Sequence, residues 1–208
     1  MDNNFSQRWF YTFFEAISAA EDELGDLDRQ LGDGDFGVNL MSGLRLAAAS
    51  VDKLSDSSTP EEVFYAVSNA FLNTGGTSGP LLGMWFREIA KSYENHRDSE
   101  VAALADGVKA GTETVQRLGG AQKGDKTFVD TLIPVVIALE HARKSDATLR
   151  EALDMAAQAA TEGAESTSGI AAGLGRASYI GELALGLMDP GAKALAMFFH
   201  SGRSAAEV

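Results

Sequence analysis

Three carboxylates and three glycines lie within one short stretch of the chain, residues 27–39. The acidic residues are Asp28, Asp33 and Asp35. Three negative charges this close together are unfavourable unless a cation lies among them. Carboxylate oxygens are the ligands that Mg2+ prefers, and protein-bound Mg2+ commonly also contacts phosphate groups. The residue types and their spacing therefore predict a site for metal and phosphate.

Other motifs fit the same stretch less well. Its Gly-x-Gly-x-x-Gly spacing matches the dinucleotide-binding pattern, but that pattern follows a buried strand and here follows acidic residues. An EF-hand loop starting at Asp33 would place Gly37 and Leu44 where ligands are needed. No Gly-Lys pair of a Walker A loop occurs. A solvated acidic turn between two helices stays open as the alternative on these residues alone.

Composition limits the classes of protein that the chain can belong to. With 208 residues, 45% of them hydrophobic, the chain predicts one domain, residues 1–208, with a substantial core. The net charge of −13 argues against nucleic acid and against an anionic membrane surface as partners. An anionic ligand would therefore need metal ions or backbone dipoles to hold it.

The sequence also contains evidence about the cell compartment of the protein. The chain has no cysteine, which excludes disulfides and thiolate sites. No apolar run approaches the length of a membrane-spanning helix, and the first residues lack a signal-peptide pattern. We therefore expect a soluble, cytoplasmic protein with no membrane partner.

Apolar residues recur at helical spacing, and no alternating pattern predicts a strand. Start signals typical of capping boxes occur at Thr59, Thr127 and Thr148. The predicted fold is all-α: an eight-helix, up-and-down antiparallel bundle or barrel. The helices are expected at about residues 5–24, 38–54, 60–71, 79–93, 101–117, 127–142, 148–161 and from 190 onward.

A glycine-rich segment, residues 164–188, interrupts the helical pattern before the last helix. Structureless connections of this length are usually functional or disordered. Tyr179, Ile180 and Leu183 argue against disorder because they are apolar. We predict a lid loop, with a short additional helix as the alternative.

In an alternating bundle, the even-numbered helices begin at the same end, so their first N–H groups and positive dipole ends converge there. Such an end is suited to bind phosphate. Thr77 and Ser78 add hydroxyl groups, and Lys126 and Arg176 add positive charge. Each turn could also be a simple interhelix connection, so the interpretation depends on their joint occurrence. The four starts are polar and glycine-bearing: residues 33–39, 75–80, 124–127 and 189–191.

These motifs resemble those of the nucleotide-binding L subunit of dihydroxyacetone kinase over nearly the whole chain. The matching runs are GDGDFGVN at 32–39, GGTSGPL at 75–81, GDKT at 124–127, GRASYIGE at 175–182 and DPGA at 189–192. The resemblance implies an eight-helix barrel that binds ADP or ATP at one end. It also implies two Mg2+ ions between the phosphates and three aspartates, here Asp28, Asp33 and Asp35.

The resemblance also assigns residues to the nucleotide. Arg176, in the predicted lid, would stabilise charge on the transferred group and is the catalytic candidate. Phe36 departs from the family, which often has histidine at this place. The nucleotide-contacting set is Phe36, Asn39, Gly76, Thr77, Ser78, Gly119, Phe128, Arg176, Asp189 and Gly191.

The implied activity is phosphoryl transfer from the Mg-bound nucleotide to dihydroxyacetone, as part of glycerol metabolism. The triose would be held on a separate K subunit, without which the chain would be inactive. Bound ADP would be rephosphorylated in place by an M subunit of the phosphotransferase system. Two alternatives remain: an ATP-dependent kinase subunit for another small ketose, and a non-catalytic, nucleotide-loaded module that binds a transcription regulator.

Overall fold

The computed structural model describes residues 5–207, except for the side chain of Arg176. Within these residues there are eight α-helices and no strand, which confirms the predicted all-α fold. The helices are α1 (Phe5–Leu31), α2 (Phe36–Val51), α3 (Pro60–Leu72), α4 (Ser78–Asn95), α5 (Glu100–Gly119), α6 (Phe128–Lys144), α7 (Leu149–Ser166) and α8 (Pro190–Ala205). In the described part of the chain, every helix is too short or too polar to span a bilayer.

The helices form a closed ring. Each helix packs on the next one along the chain, and α8 packs on both α7 and α1. Because connected helices alternate in direction, α2, α4, α6 and α8 begin at the same end of the ring. This end carries the site described below.

Aromatic side chains fill the interior of the ring. Phe198 lies at their centre, with ring centroids 4.6 Å from Trp9, 5.3 Å from Phe13 and 5.3 Å from Trp85. The Trp9 indole N–H donates to the carbonyl of Phe198 at 2.8 Å, which satisfies its polar atom in the core. The ring is therefore solidly packed beneath its open end.

The first helix is longer than predicted and ends at Leu31 instead of residue 24. Gly25 does not break the helix, because it is buried where the start of α2 crosses α1. A Cβ on Gly37 of α2 would lie 3.0 Å from the backbone nitrogen of Gly25. The predicted end at residue 24 was therefore wrong, because the helix continues through Gly25 to Leu31 while Gly37 of α2 packs against it. As a result, Asp28 lies on α1 and not in the turn.

The predicted capping boxes are present. Thr59, Thr127 and Thr148 each form one with the acidic residue three positions later, at the starts of α3, α6 and α7. Asp189 caps α8, accepting a hydrogen bond from the Ala192 N–H. Local sequence signals thus define the start of four helices.

The glycine-rich segment before α8 forms neither an open coil nor an additional α-helix. It contains three single-turn 3₁₀ helices: Thr167–Gly169, Arg176–Tyr179 and Gly181–Ala184. The first packs on α7, and the other two pack on each other. That this segment acts as a lid stays a prediction.

Candidate functional site

A cavity of about 340 Å3 opens at the end of the ring where the even-numbered helices begin. Every residue that the sequence predicted for the site lines this cavity, apart from Arg176, whose side chain lies outside the described part of the structure. These lining residues are Asp28, Asp33, Asp35, Phe36, Asn39, Gly76, Thr77, Ser78, Gly119, Phe128, Asp189 and Gly191. The backbone neighbours of Arg176, Gly175 and Ala177, also line it.

The three aspartates form one cluster at the cavity. One carboxylate oxygen from each of Asp28, Asp33 and Asp35 lies within 4.8 Å of the others. Opposite ligands of an octahedral Mg2+ are about 4.2 Å apart, since Mg–O distances are about 2.1 Å. Asp28 is partly buried, whereas Asp33 and Asp35 are exposed to the cavity mouth. An all-oxygen, half-exposed set of this size fits Mg2+ that keeps some water or phosphate ligands.

Close packing of α1 against α2 holds Asp28 in this cluster. The backbone N–H of Phe36 donates to Asp28 Oδ2 at 3.1 Å. A Cβ on Gly37 would lie 2.3 Å from the Glu21 carbonyl oxygen, so only glycine allows this approach. The turn between the helices also needs Gly34, whose φ is 80°. The glycines therefore place two acidic turn residues opposite a helical one.

The four helix N-termini at the cavity are not equivalent. Thr127 and Asp189 accept hydrogen bonds from the first turns of α6 and α8. Asp35 and Thr77, which precede α2 and α4, make no such capping bond. Unpaired N–H groups at a helix start favour anions. Anion binding is therefore best supported at α4 and at the first-turn N–H groups of α2 that follow Phe36, whose own N–H already bonds to Asp28.

Asp189 contributes a perturbed carboxyl group to the cavity wall. Burial raises its pKa to about 7, and the charges of Asp130 and Asp28 act in the same direction. The Ala192 N–H and the Lys126 ammonium oppose this shift. A carboxyl group in this state carries less negative charge near neutral pH, which lowers its repulsion of an anionic ligand.

Lys126 lines the cavity, as expected of a residue that adds positive charge there, but its ammonium is held by the backbone. Its side chain is only 1% exposed, and its ammonium donates to the carbonyl oxygens of Thr167 and Leu187. Burial lowers its pKa, while Asp189 and Asp130 raise it. The direction in which the Lys126 side chain points could not be predicted from the sequence, because both acceptors are backbone carbonyls that are remote along the chain.

The cavity also has an apolar wall that the sequence did not assign to the site. Leu81 and Leu82 of α4 contribute to it, together with Val115 of α5. Their helical spacing made them indistinguishable from ordinary core residues. Phe36 lines the cavity and packs against the core, so its ring joins the two environments.

The fold and the site together define a class of protein: a closed ring of eight helices with a carboxylate cluster and a mixed polar and apolar pocket at one end. The DAK2 domain family model matches residues 30–203, so the chain belongs to this family. The match begins just after Asp28, and the aspartate cluster therefore extends slightly beyond it.

Similar proteins fall into two groups by length. The chain is 34% identical over 203 residues to the ADP-binding subunit DhaL of PEP-dependent dihydroxyacetone kinase 1 of Listeria innocua, covering 96% of this chain and 95% of that subunit. It is 30% identical to the corresponding Escherichia coli subunit, covering 88% of each protein. It is 37% identical to the L-erythrulose 1-kinase of Mycolicibacterium smegmatis over 91% of this chain, but this covers only 33% of that enzyme.

A solved structure shares the fold. The dihydroxyacetone kinase of C. freundii in complex with AMP-PNP and Mg2+ matches with a TM-score of 0.71 and 27% identity. The match covers 98% of this chain and 33% of that one. The chain thus spans about nine tenths or more of the length of some relatives and one third of others.

Proposed function

We propose that this chain is the nucleotide-binding subunit of a dihydroxyacetone kinase. The observation that carries the proposal is the cluster of Asp28, Asp33 and Asp35 beside the uncapped N-termini of α2 and α4, in one pocket. Relatives of similar length are named ADP-binding subunits of such kinases, and a solved relative was complexed with AMP-PNP and Mg2+.

The electrostatics of the chain support metal-dependent binding. With a net charge of −13 and three carboxylates at the pocket, nucleotide phosphates would be repelled without cations. Three carboxylates can be shared between two ions, and we propose two Mg2+ ions held by Asp28, Asp33 and Asp35. These ions would neutralise charge on the phosphates and on the transferred group.

The remaining residues of the pocket divide by chemistry. We assign the phosphates to Asn39, Thr77 and Ser78, whose polar groups lie at the starts of α2 and α4. The apolar wall is suited to an adenine ring, and the cavity volume lies within the usual range of small-molecule sites. Arg176, whose neighbours line the pocket, is assigned to the charge that develops on the transferred phosphoryl group.

The phosphoryl acceptor is assigned to a separate K subunit. The chain matches only one third of the erythrulose kinases and of the C. freundii kinase, so most of each enzyme has no counterpart here. Several exposed apolar side chains belong to the pocket lining (Leu174), adjoin lining residues along the chain (Val38 and Leu118), or lie in the glycine-rich segment that contributes to the lining, as expected of a surface that a partner covers. We call Val38, Leu118, Leu174, Tyr179, Leu183 and Leu185 the apolar rim.

The phosphoryl donor is assigned to the phosphotransferase system. Relatives of similar length are named PEP-dependent or PTS-dependent kinases. Bound ADP would then be rephosphorylated in place by an M subunit, and the nucleotide would act as a fixed coenzyme. Nucleotide that copurifies with the chain and exchanges slowly would support this use, whereas rapid exchange would favour ATP as an ordinary substrate.

A second candidate acceptor is erythrulose, a four-carbon ketose. It is favoured by the 37% identity to the L-erythrulose 1-kinase, which exceeds the 34% identity to the dihydroxyacetone kinase subunit of Listeria. In this scheme the partner subunit selects the sugar. Turnover of both ketoses, measured with the K subunit from the same organism, distinguishes the two acceptors.

The decisive experiment is calorimetric titration of ADP and ATP with and without Mg2+. Asp35→Ala should weaken Mg-dependent binding about 100-fold or more, because it removes a metal ligand. Asp22→Ala is the matched control, since Asp22 is an exposed acidic residue of α1 that does not line the pocket. Unchanged nucleotide affinity in Asp35→Ala, with the helical circular dichroism retained, would contradict the proposal.

A further inference from the structure

The ammonium of Lys126 joins the two ends of the glycine-rich segment. It donates to the carbonyl of Thr167 at 2.6 Å and to the carbonyl of Leu187, which lie before and after residues 168–186. Lys126 is 1% exposed and Thr167 is fully buried. A buried ammonium is costly unless its protons are bonded, so these two carbonyls fix the side chain.

The backbone that carries Lys126 is itself held in place. Lys126 has a φ of 60°, a conformation that a residue with a side chain adopts only when its surroundings support it. Asp130 of α6 provides this support, accepting from the Gly124 N–H at 2.6 Å and from the Thr127 N–H at 3.0 Å. The lysine is therefore anchored to the start of α6.

Among the residues whose side chains are described, the glycine-rich segment is also held by the buried Ala184 and by two hydrogen bonds between distant parts of the chain. The Gly186 N–H donates to the Ser168 carbonyl at 2.8 Å, and the Gly173 N–H donates to the Asp125 carbonyl at 3.2 Å. Its second and third 3₁₀ turns pack on each other, as described above. Within this segment, Gly175 and Ala177 line the cavity. The position of this wall therefore depends on how the ends of the segment are held.

We propose that Lys126 is a positioning residue for the nucleotide pocket: by joining Thr167 to Leu187, it holds residues 168–186 in place as a wall of the cavity. The same junction orients Asp189, whose N–H donates to Thr167 Oγ1 at 3.0 Å. The effect on ligand affinity rests on the proposed function, whereas the effect on the segment does not. Lys126 itself lines the cavity, but both described hydrogen bonds of its ammonium go to backbone carbonyls, and we assign its role to holding the segment.

Lys126→Met tests the proposal, because methionine has a similar length but no donor. In the nucleotide-free protein, amide hydrogen exchange within residues 168–186 should become about tenfold faster or more, with α1 to α5 unchanged. The dissociation constant for ADP with Mg2+ should rise by about tenfold or more. Lys126→Arg keeps the charge and several donors. Its exchange rates and its dissociation constant should therefore lie close to the wild-type values.

Lys123→Met is the matched control, because Lys123 is exposed on the same turn and does not line the cavity. It should behave as the wild type in both measurements. Circular dichroism and thermal unfolding verify that each variant is folded. If Lys126→Met does not fold, Lys126→Gln replaces it, since an amide can still donate to one carbonyl and should give smaller changes in the same directions.

Three results would overturn the proposal. Exchange in residues 168–186 that matches the wild type would show that Lys126 does not hold the segment. Faster exchange with unchanged affinity would show that the segment does not position the nucleotide. Weaker affinity with unchanged exchange would show that the ammonium contacts the ligand directly. If the wild type binds no Mg-nucleotide, the proposed function fails, and the exchange measurement still decides the role of Lys126.

Discussion

At the residue scale, Asp189 combines a structural and an electrostatic role. Its carboxylate accepts from the Ala192 N–H at 2.7 Å and caps α8, while its backbone N–H donates to Thr167. Burial raises the pKa of the same carboxyl group to about 7. Ionisation of Asp189 is therefore less favourable in the folded chain than in the unfolded chain, and folding stability must depend on pH through this group.

Asp189→Asn should remove that dependence, because asparagine can cap a helix but does not ionise. Below about pH 3 both folded and unfolded wild type are largely protonated at this position, so the two proteins should be similarly stable. As the pH rises to about 7, only the unfolded wild type ionises fully, and the wild type loses stability relative to the variant.

Above pH 7, the unfolding free energy of Asp189→Asn should exceed that of the wild type by on the order of 2 kcal/mol. This is about half of the free energy that corresponds to the full pKa shift of Asp189, because solvent in the open pocket screens the charge. Urea unfolding at several pH values with a chelator present measures it. A difference that stays constant with pH would contradict the assigned pKa.

Some residues of the site can be predicted from the sequence more readily than others. Asp28, Asp33 and Asp35 are close along the chain, so their spacing alone predicts that they can share a cation. Lys126 is different, because the direction of a long, flexible side chain is set by carbonyls that tertiary folding brings to it. Charge and sequence position predict that Lys126 adds positive charge to the site, and the structure shows that a cavity-lining Lys126 also bonds to two backbone carbonyls.

At the element scale, the contact between α1 and α2 determines the geometry of the aspartate cluster. Phe36 donates its N–H to Asp28 only because α2 begins directly against the backbone of α1. Gly37 allows this approach, since its neighbour is a backbone carbonyl that cannot rotate away. The proposed metal site therefore depends on helix packing as well as on its ligands.

Gly37→Ala should displace the start of α2 and lower the unfolding free energy by about 1–3 kcal/mol, as is typical of overpacking. It should also weaken Mg-dependent nucleotide binding, although it changes no ligand. Gly169→Ala is the control, because a Cβ at that position would meet nothing within 4 Å and Gly169 does not line the cavity. Thermal unfolding and calorimetry measure both effects, and equal stability of the two variants would argue against this role of Gly37.

Helix starts could be predicted better than helix ends. Thr59, Thr127 and Thr148 carry local signals that act within one turn, and the structure contains all three capping boxes. The end of α1 could not be predicted, because the helix continues through Gly25, which lies against Gly37 of another helix, α2. The 3₁₀ turns before α8 could not be predicted either, since the apolar residues of this segment do not recur at helical spacing.

At the scale of the whole molecule, the apolar rim is the surface that we propose a partner covers. Tyr179 is 89% exposed and Leu183 is 79% exposed, in the segment that also contributes Gly175 and Ala177 to the pocket. Such side chains gain stability when a partner covers them. Under the proposed function, covering the rim would bring the acceptor to the bound nucleotide.

The double variant Tyr179→Ser/Leu183→Ser should reduce dihydroxyacetone phosphorylation with the K subunit by about tenfold or more, because it removes buried apolar area from the interface. Its affinity for ADP with Mg2+ should stay at the wild-type value. Ile137→Ser is the control, since Ile137 is 65% exposed on α6 and does not line the pocket. Full activity of the double variant at limiting K subunit would exclude this face as the docking surface.

The closed ring as a whole could be anticipated from helix number and short connections, because alternating helices bring even-numbered starts to one end. The different capping of these starts could be anticipated only in part. Thr127 and Asp189 carry cap signals, but nothing in the sequence shows that Asp35 and Thr77 leave their helix starts uncapped.

The aromatic interior also has a spectroscopic consequence. Both tryptophans of the chain, Trp9 and Trp85, are fully buried in the ring, and neither lines the cavity. Their fluorescence should report loss of the packed interior and remain nearly constant when nucleotide binds. Unfolding and ligand binding can thus be followed separately on the unlabelled chain.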